Sequence, residues 1–70
     1  MSEIIASMAG SVWKIVVSEG ESVSSGQEVI ILESMKMEIP LEAVTSGSIK
    51  KIHISEGDFV NEGDVLAIIE

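Results

Sequence analysis

The sequence predicts an all-β fold: a flattened β-barrel or sandwich of two four-stranded halves related by a pseudo-two-fold axis, with no helix. Three observations carry this expectation. The chain contains an ungapped internal repeat. Its apolar and polar residues alternate one by one, which buries one face of a pleated strand. No segment shows the spacing of an amphipathic helix.

The repeat has an offset of 37 residues, set by Gly10 and Gly47. The segment GSVWKIVVSEGESVSSGQEVIILE, Gly10 to Glu33, lies over GSIKKIHISEGDFVNEGDVLAIIE, Gly47 to Glu70. Lys14/Lys51, Ile15/Ile52, Ser18/Ser55, Glu19/Glu56, Gly20/Gly57, Val23/Val60, Gly26/Gly63 and Glu33/Glu70 are identical pairs. The offset continues upstream, where Ile4 faces Leu41 and Ala6 faces Ala43. The halves are therefore 1–33 and 38–70, joined at 34–37.

Each half reads as the same run of short strands. Ile39, Leu41 and Ala43 alternate with Glu38, Pro40 and Glu42 in the second half, and Ile4 and Ala6 alternate likewise in the first. Pro40 cannot donate to a ladder, so its strand lies at an edge or begins there. Ser11–Val17 and Ser48–Ile54 are the next strands, followed by Ser-Glu-Gly turns at Ser18–Gly20 and Ser55–Gly57. Short strands around Val23 and Val60 lead to Gly26 and Gly63. The glycine pairs recur where turns need positive φ. Val29–Leu32 and Leu66–Ile69 are apolar on both faces, as expected of strands crossing the core. If the pseudo-two-fold holds, the termini meet at the end opposite the 34–37 hairpin.

A chain of 70 residues is one domain with one thin core, since folding at this size hides only roughly 60% of the unfolded surface. The core is aliphatic, because 46% of residues are apolar and Trp13 and Phe59 are the only aromatics. There is no cysteine, hence no disulfide and no thiolate metal site. Twelve acidic residues against 4 basic ones give a formal net charge of −8. Such a surface repels phosphate backbones and anionic lipid and favours partners with basic faces. Met1-Ser2-Glu3 has neither the basic region nor the apolar run of a signal peptide, and no stretch spans a bilayer. A cytoplasmic protein, monomeric by itself, is the expectation.

Catalysis needs converging acids, bases or nucleophiles, and the sequence offers none. His53 is the lone histidine, flanked by Ile52 and Ile54, and reads as a solvent-facing strand residue with no ligand cluster. Glu19-Gly20-Glu21 and Glu56-Gly57-Asp58 sit on repeated turns without a full oxygen cage, and read as solvated loops. Trp13 aligns with Lys50, so its position tolerates charge and is partly exposed.

The seam between the halves breaks the local rules. A two-residue hairpin recruits Asn-Gly or Asp-Gly, because both central residues need positive φ. Here Met35 and Lys36 take those places, between Ser34 and Met37. A local rule broken where its neighbours are obeyed marks a candidate functional site. Two flexible apolar side chains flanking a lysine at an apex suit a surface that fits more than one partner.

Glu33-Ser34-Met35-Lys36-Met37-Glu38 resembles the biotinylation motif of the biotin carboxyl carrier family, usually written Ala-Met-Lys-Met. Gly57-Asp58-Phe59-Val60-Asn61-Glu62-Gly63-Asp64-Val65-Leu66 resembles that family's closing segment. The resemblance covers the whole chain. It implies the family's flattened barrel, a biotin amide on Lys36, and a recognition role for the flanking Met35 and Met37. Ser34 departs from the usual Ala. The ungapped offset leaves no room for the thumb insertion of some bacterial acetyl-CoA carboxylase subunits, and there is no Pro/Ala-rich linker. The chain in this respect is similar to free-standing biotin/lipoyl attachment proteins.

On this resemblance the protein is a non-catalytic carrier. Biotin protein ligase would load it, and it would serve a biotin carboxylase and a carboxyltransferase, with no metal involved. The rival readings are a lipoyl carrier of an oxo-acid dehydrogenase or glycine-cleavage system and an unmodified β interaction module. Lipoyl domains usually carry Asp-Lys-Ala at the tip, where this chain has Met-Lys-Met.

Overall fold

The computed structural model describes residues 2–70. Met1, at the head of the first repeat, lies outside the described residues. Eight strands follow in order: β1 (Ser2–Ile5), β2 (Gly10–Ile15), β3 (Ser22–Val23), β4 (Glu28–Ser34), β5 (Met37–Glu42), β6 (Gly47–Ile52), β7 (Phe59–Val60) and β8 (Val65–Ile69). No helix is present among the described residues.

The strands form two four-stranded sheets, in the orders β1-β8-β6-β3 and β5-β4-β2-β7. The offset of the repeat converts one order into the other strand by strand. The sheets are not the sequence halves, however. Each takes two strands from either half, so the halves interlock, and neither could bury its apolar faces without the other. Ser2 pairs with Ile69, the place in one sheet that Ile39 and Leu32 hold in the other. Ser2 and Ile69 therefore meet where the pseudo-two-fold maps the β4–β5 hairpin.

The inner faces pack an aliphatic core with no buried polar side chain among the described residues. All its members but Val17 fall in offset pairs: Ile4/Leu41, Ala6/Ala43, Val12/Ile49, Val23/Val60, Val29/Leu66, Ile30/Ala67 and Leu32/Ile69. β4 and β8 are interior strands, as their apolar runs suggest. The adjacent buried residues in each have a local cause. A bulge at Val29, mirrored at Leu66, turns two consecutive residues into the core, whereas Ile31 and Ile68 on the outer side are only half-buried.

Three expectations need correction. The strands expected over Ser11–Val17 and Ser48–Ile54 end at Ile15 and Ile52. The N–H groups of Val16 and His53 still bond to Val29 and Leu66, but Val17 and Ile54 then tuck against the core and leave the ladder. His53 is exposed as expected, but lies just beyond its strand. Finally, Gly10 and Gly47 do not have positive φ, unlike Gly20, Gly26, Gly57 and Gly63. At Gly10 a Cβ would lie 2.7 Å from the Glu33 carbonyl oxygen, and at Gly47 2.5 Å from that of Glu70. The requirement there is close approach of two backbones, not dihedral freedom.

Candidate functional site

The site is the β4–β5 hairpin. Six rungs run from Glu28↔Glu42 to Ser34↔Met37, and Met35 and Lys36 form the two-residue turn beyond the last. β5 is an edge strand, so Pro40 deprives no neighbour of a ladder bond. A two-residue loop matches the twist of its strands when both central residues lie in the left-handed region. Met35 (φ 52°) and Lys36 (φ 65°) do, and they are the only non-glycine residues with positive φ among those described. Such a conformation costs an L-residue roughly 1–2 kcal/mol. It is held here by the ladder below it.

That ladder is anchored from the side. Ser34 closes the last rung, and its Cβ would lie 3.3 Å from a Cβ on Gly10, the first residue of β2. Glycine at this position lets β2 press against the base of the hairpin. The repeat carried the signal, since Gly10/Gly47 is an identical pair, but the tight backbone contact was not readable from it.

Lys36 is exposed at the tip, with Met35 92% and Met37 66% exposed on either side. The core therefore does not account for the methionines. The one ion pair among the described residues, Lys50–Glu70 at 3.8 Å, lies in the other sheet. An exposed primary amine on a pinned turn can be acylated by an external enzyme without unfolding its support. Covalent attachment of biotin suits this donor set: one primary amine, with no second amine or thiol beside it, between two exposed apolar side chains.

The remaining sequence candidates lie elsewhere. The turn carboxylates prove more than solvated. Glu56 accepts from the Ile15 N–H at 3.1 Å and Glu19 from the Ile52 N–H at 2.9 Å. Within the turns, Glu21 and Asp58 accept from the N–H groups of Ser18 and Ser55. No group of three or more His, Cys, Asp or Glu residues that could hold a metal occurs among the described residues.

Known proteins place these features in a family. The sequence profile described as "Biotin-requiring enzyme" matches residues 1–69. A biotin/lipoyl attachment protein of Bacillus subtilis is 61% identical over 36 residues, which is 51% of this chain and 49% of that protein. The methylmalonyl-CoA carboxyltransferase 1.3S subunit of Propionibacterium freudenreichii is 58% identical over 36 residues, 51% of this chain and 29% of that one. The aligned part thus spans about half the length of the first of these relatives, and less of the second. Among solved structures, the Kluyveromyces lactis urea carboxylase superposes with a TM-score of 0.93 at 38% identity, over 99% of this chain and 6% of that one. A single-chain, multi-domain long-chain acyl-CoA carboxylase superposes with a TM-score of 0.89 at 29% identity, over 94% of this chain and 6% of that one. Fold, hairpin and profile agree, and the chain belongs to the family of biotin-requiring enzymes, in its biotinyl/lipoyl attachment fold.

Proposed function

We propose that residues 1–70 form one carrier domain, biotinylated on Lys36, that passes a carboxyl group between a biotin carboxylase and a carboxyltransferase. The observation that carries this reading is the left-handed Met35-Lys36 turn, held at an exposed tip with both flanking methionines in solvent.

Each part of the site has a task on this reading. A lysine amine is ordinarily protonated at neutral pH, so biotin protein ligase supplies a base as well as activated biotin. The amine nitrogen of Lys36 attacks the activated carboxyl carbon, an amide bond forms, the bond to the activating group breaks, and the amine proton leaves to that base. Met35 and Met37 form the apolar collar the ligase reads. The rigid hairpin presents the arm, and tethering raises its effective concentration at each active site it visits. Biotin, when attached, supplies the ureido nitrogen that takes up and releases the carboxyl group. The domain itself catalyses nothing.

The name of the Bacillus subtilis relative keeps a lipoyl arm as the second reading. Incubation with purified biotin ligase and, separately, lipoyl ligase, followed by intact mass, decides between them. A biotinyl increment is expected. A lipoyl increment alone would move the function to acyl or aminomethyl transfer, and no increment with either would contradict both.

A further inference from the structure

The two sheets are related by the repeat, yet their outer faces differ. Phe59, Ser11, Glu33 and Glu38 form one row across β7, β2, β4 and β5. In the next row β2 bulges at Trp13, with Lys14 opposite Ile31 and Ile31 opposite Pro40. Phe59 is 67% exposed and Trp13 43% exposed, and the Lys14 ammonium lies 5.5 Å from the Trp13 ring centroid.

At the equivalent points of the other sheet stand Ser22 in place of Phe59 and Lys50 in place of Trp13, on the same bulge. The fold therefore does not need aromatics there. Exchanging lysine for Trp13 has a second consequence. Lys50 pairs with Glu70. Glu33, the equivalent of Glu70, has no cation partner among the described residues and instead faces Glu38 directly across the ladder. Like charges in that relation destabilise a sheet. Both of the chain's aromatics and an uncompensated glutamate pair are thus gathered on the face that carries the Lys36 hairpin, where the exposed rings cost solubility and the like charges cost stability.

We propose that this face is a docking surface for a protein partner whose own face carries arginines around an apolar spot. The partner is the biotin carboxylase that works on the Lys36 arm. This rests on the carrier reading above. A guanidinium stacks on an indole or phenyl ring and pairs with carboxylates at once. Aromatics form the core of protein interfaces and charges their rim. The acidic surround steers a basic enzyme toward the side of the molecule where the arm emerges.

The test uses variants that copy the other half, Trp13→Lys and Phe59→Ser, together with Glu33→Gln/Glu38→Gln. Each is loaded with biotin to completion, checked by intact mass and circular dichroism, and given to purified biotin carboxylase with ATP and bicarbonate. The kcat/KM for Phe59→Ser and Trp13→Lys is expected to fall at least tenfold. Turnover of free biotin by the same enzyme is the reference. The wild-type rate is expected to fall with added salt, and Glu33→Gln/Glu38→Gln to flatten that dependence. Unchanged kcat/KM in the aromatic variants would overturn the proposal. So would a concentration-dependent dimer of the wild type that Phe59→Ser abolishes, since the face would then belong to a second copy. Loaded wild type that no carboxylase accepts would remove the carrier reading, and this proposal with it.

Discussion

Glu56 Oε2 accepts a 3.1 Å hydrogen bond from the backbone N–H of Ile15, joining the turn of the second half to the end of a strand in the first. The repeat supplies the reciprocal bond, from the Ile52 N–H to Glu19 Oε2 at 2.9 Å. The two carboxylates stitch together halves whose strands are already exchanged between the sheets. The two bonds tie each half to the other at equivalent places.

Glu19→Ala and Glu56→Ala are each expected to lower unfolding free energy by about 0.5–1.5 kcal/mol, the usual net worth of one hydrogen bond. Urea titration of the single and double variants checks this. The double should equal the sum of the singles to within about 0.5 kcal/mol. Unchanged midpoints would mean that water serves those N–H groups equally well.

Gly10→Ala and Gly47→Ala should both destabilise, by roughly 1–3 kcal/mol, the range for forcing extra atoms into a packed site. Only Gly10 backs onto Ser34 and the hairpin. Gly10→Ala is therefore expected to slow biotin loading as well, and Gly47→Ala to leave the loading rate unchanged. Equal loading rates in the two variants, measured by intact mass against time, would detach the β2 contact from presentation of the lysine.

Met35→Asn places at φ 52° a residue that tolerates the left-handed region. Stability is expected to rise by about 1 kcal/mol, or roughly 4–8 °C in Tm for a domain of this size. Loading by biotin ligase is expected to fall. A stabler protein that is a poorer substrate would show that Met35 is kept for recognition at the expense of the turn. A less stable one would show that Met35 packs in a way its exposure does not reveal.

Leu32→Ala and Ile69→Ala remove equivalent core side chains, each essentially inaccessible to solvent. Each should cost about 2–5 kcal/mol, against a total of only roughly 4–10 kcal/mol for a chain of this length. The two losses should agree to within about 1 kcal/mol if the pseudo-symmetry extends to energetics. Chemical denaturation followed by circular dichroism reads both.

Much of this was legible in the sequence, for physical reasons. Strand alternation and glycine turns are local, and the repeat supplied each of them twice. The hairpin was visible because Met35 and Lys36 violate turn preferences that Gly20, Gly26, Gly57 and Gly63 obey. Pro40 marked its edge because a missing donor admits few places. Other features depend on register, which the repeat alone leaves open. The same symmetry is consistent with each half forming its own sheet, so the strand exchange was hidden. The Gly10–Glu33 approach, the Glu56–Ile15 bond and the meeting of Trp13 with Phe59 on one face all follow from that exchange.

The most direct test of the central claim is the position of the acyl group. The chain has four lysines, Lys14, Lys36, Lys50 and Lys51, and no arginine. Of these only Lys36 sits in a left-handed turn. Protein co-expressed with biotin ligase would be digested and each lysine-bearing peptide mapped by mass. One biotinyl group on Lys36, none on the other three, and none in a folded Lys36→Ala variant is the expected result. Biotin on Lys14, Lys50 or Lys51, or modification that survives Lys36→Ala, would contradict the account.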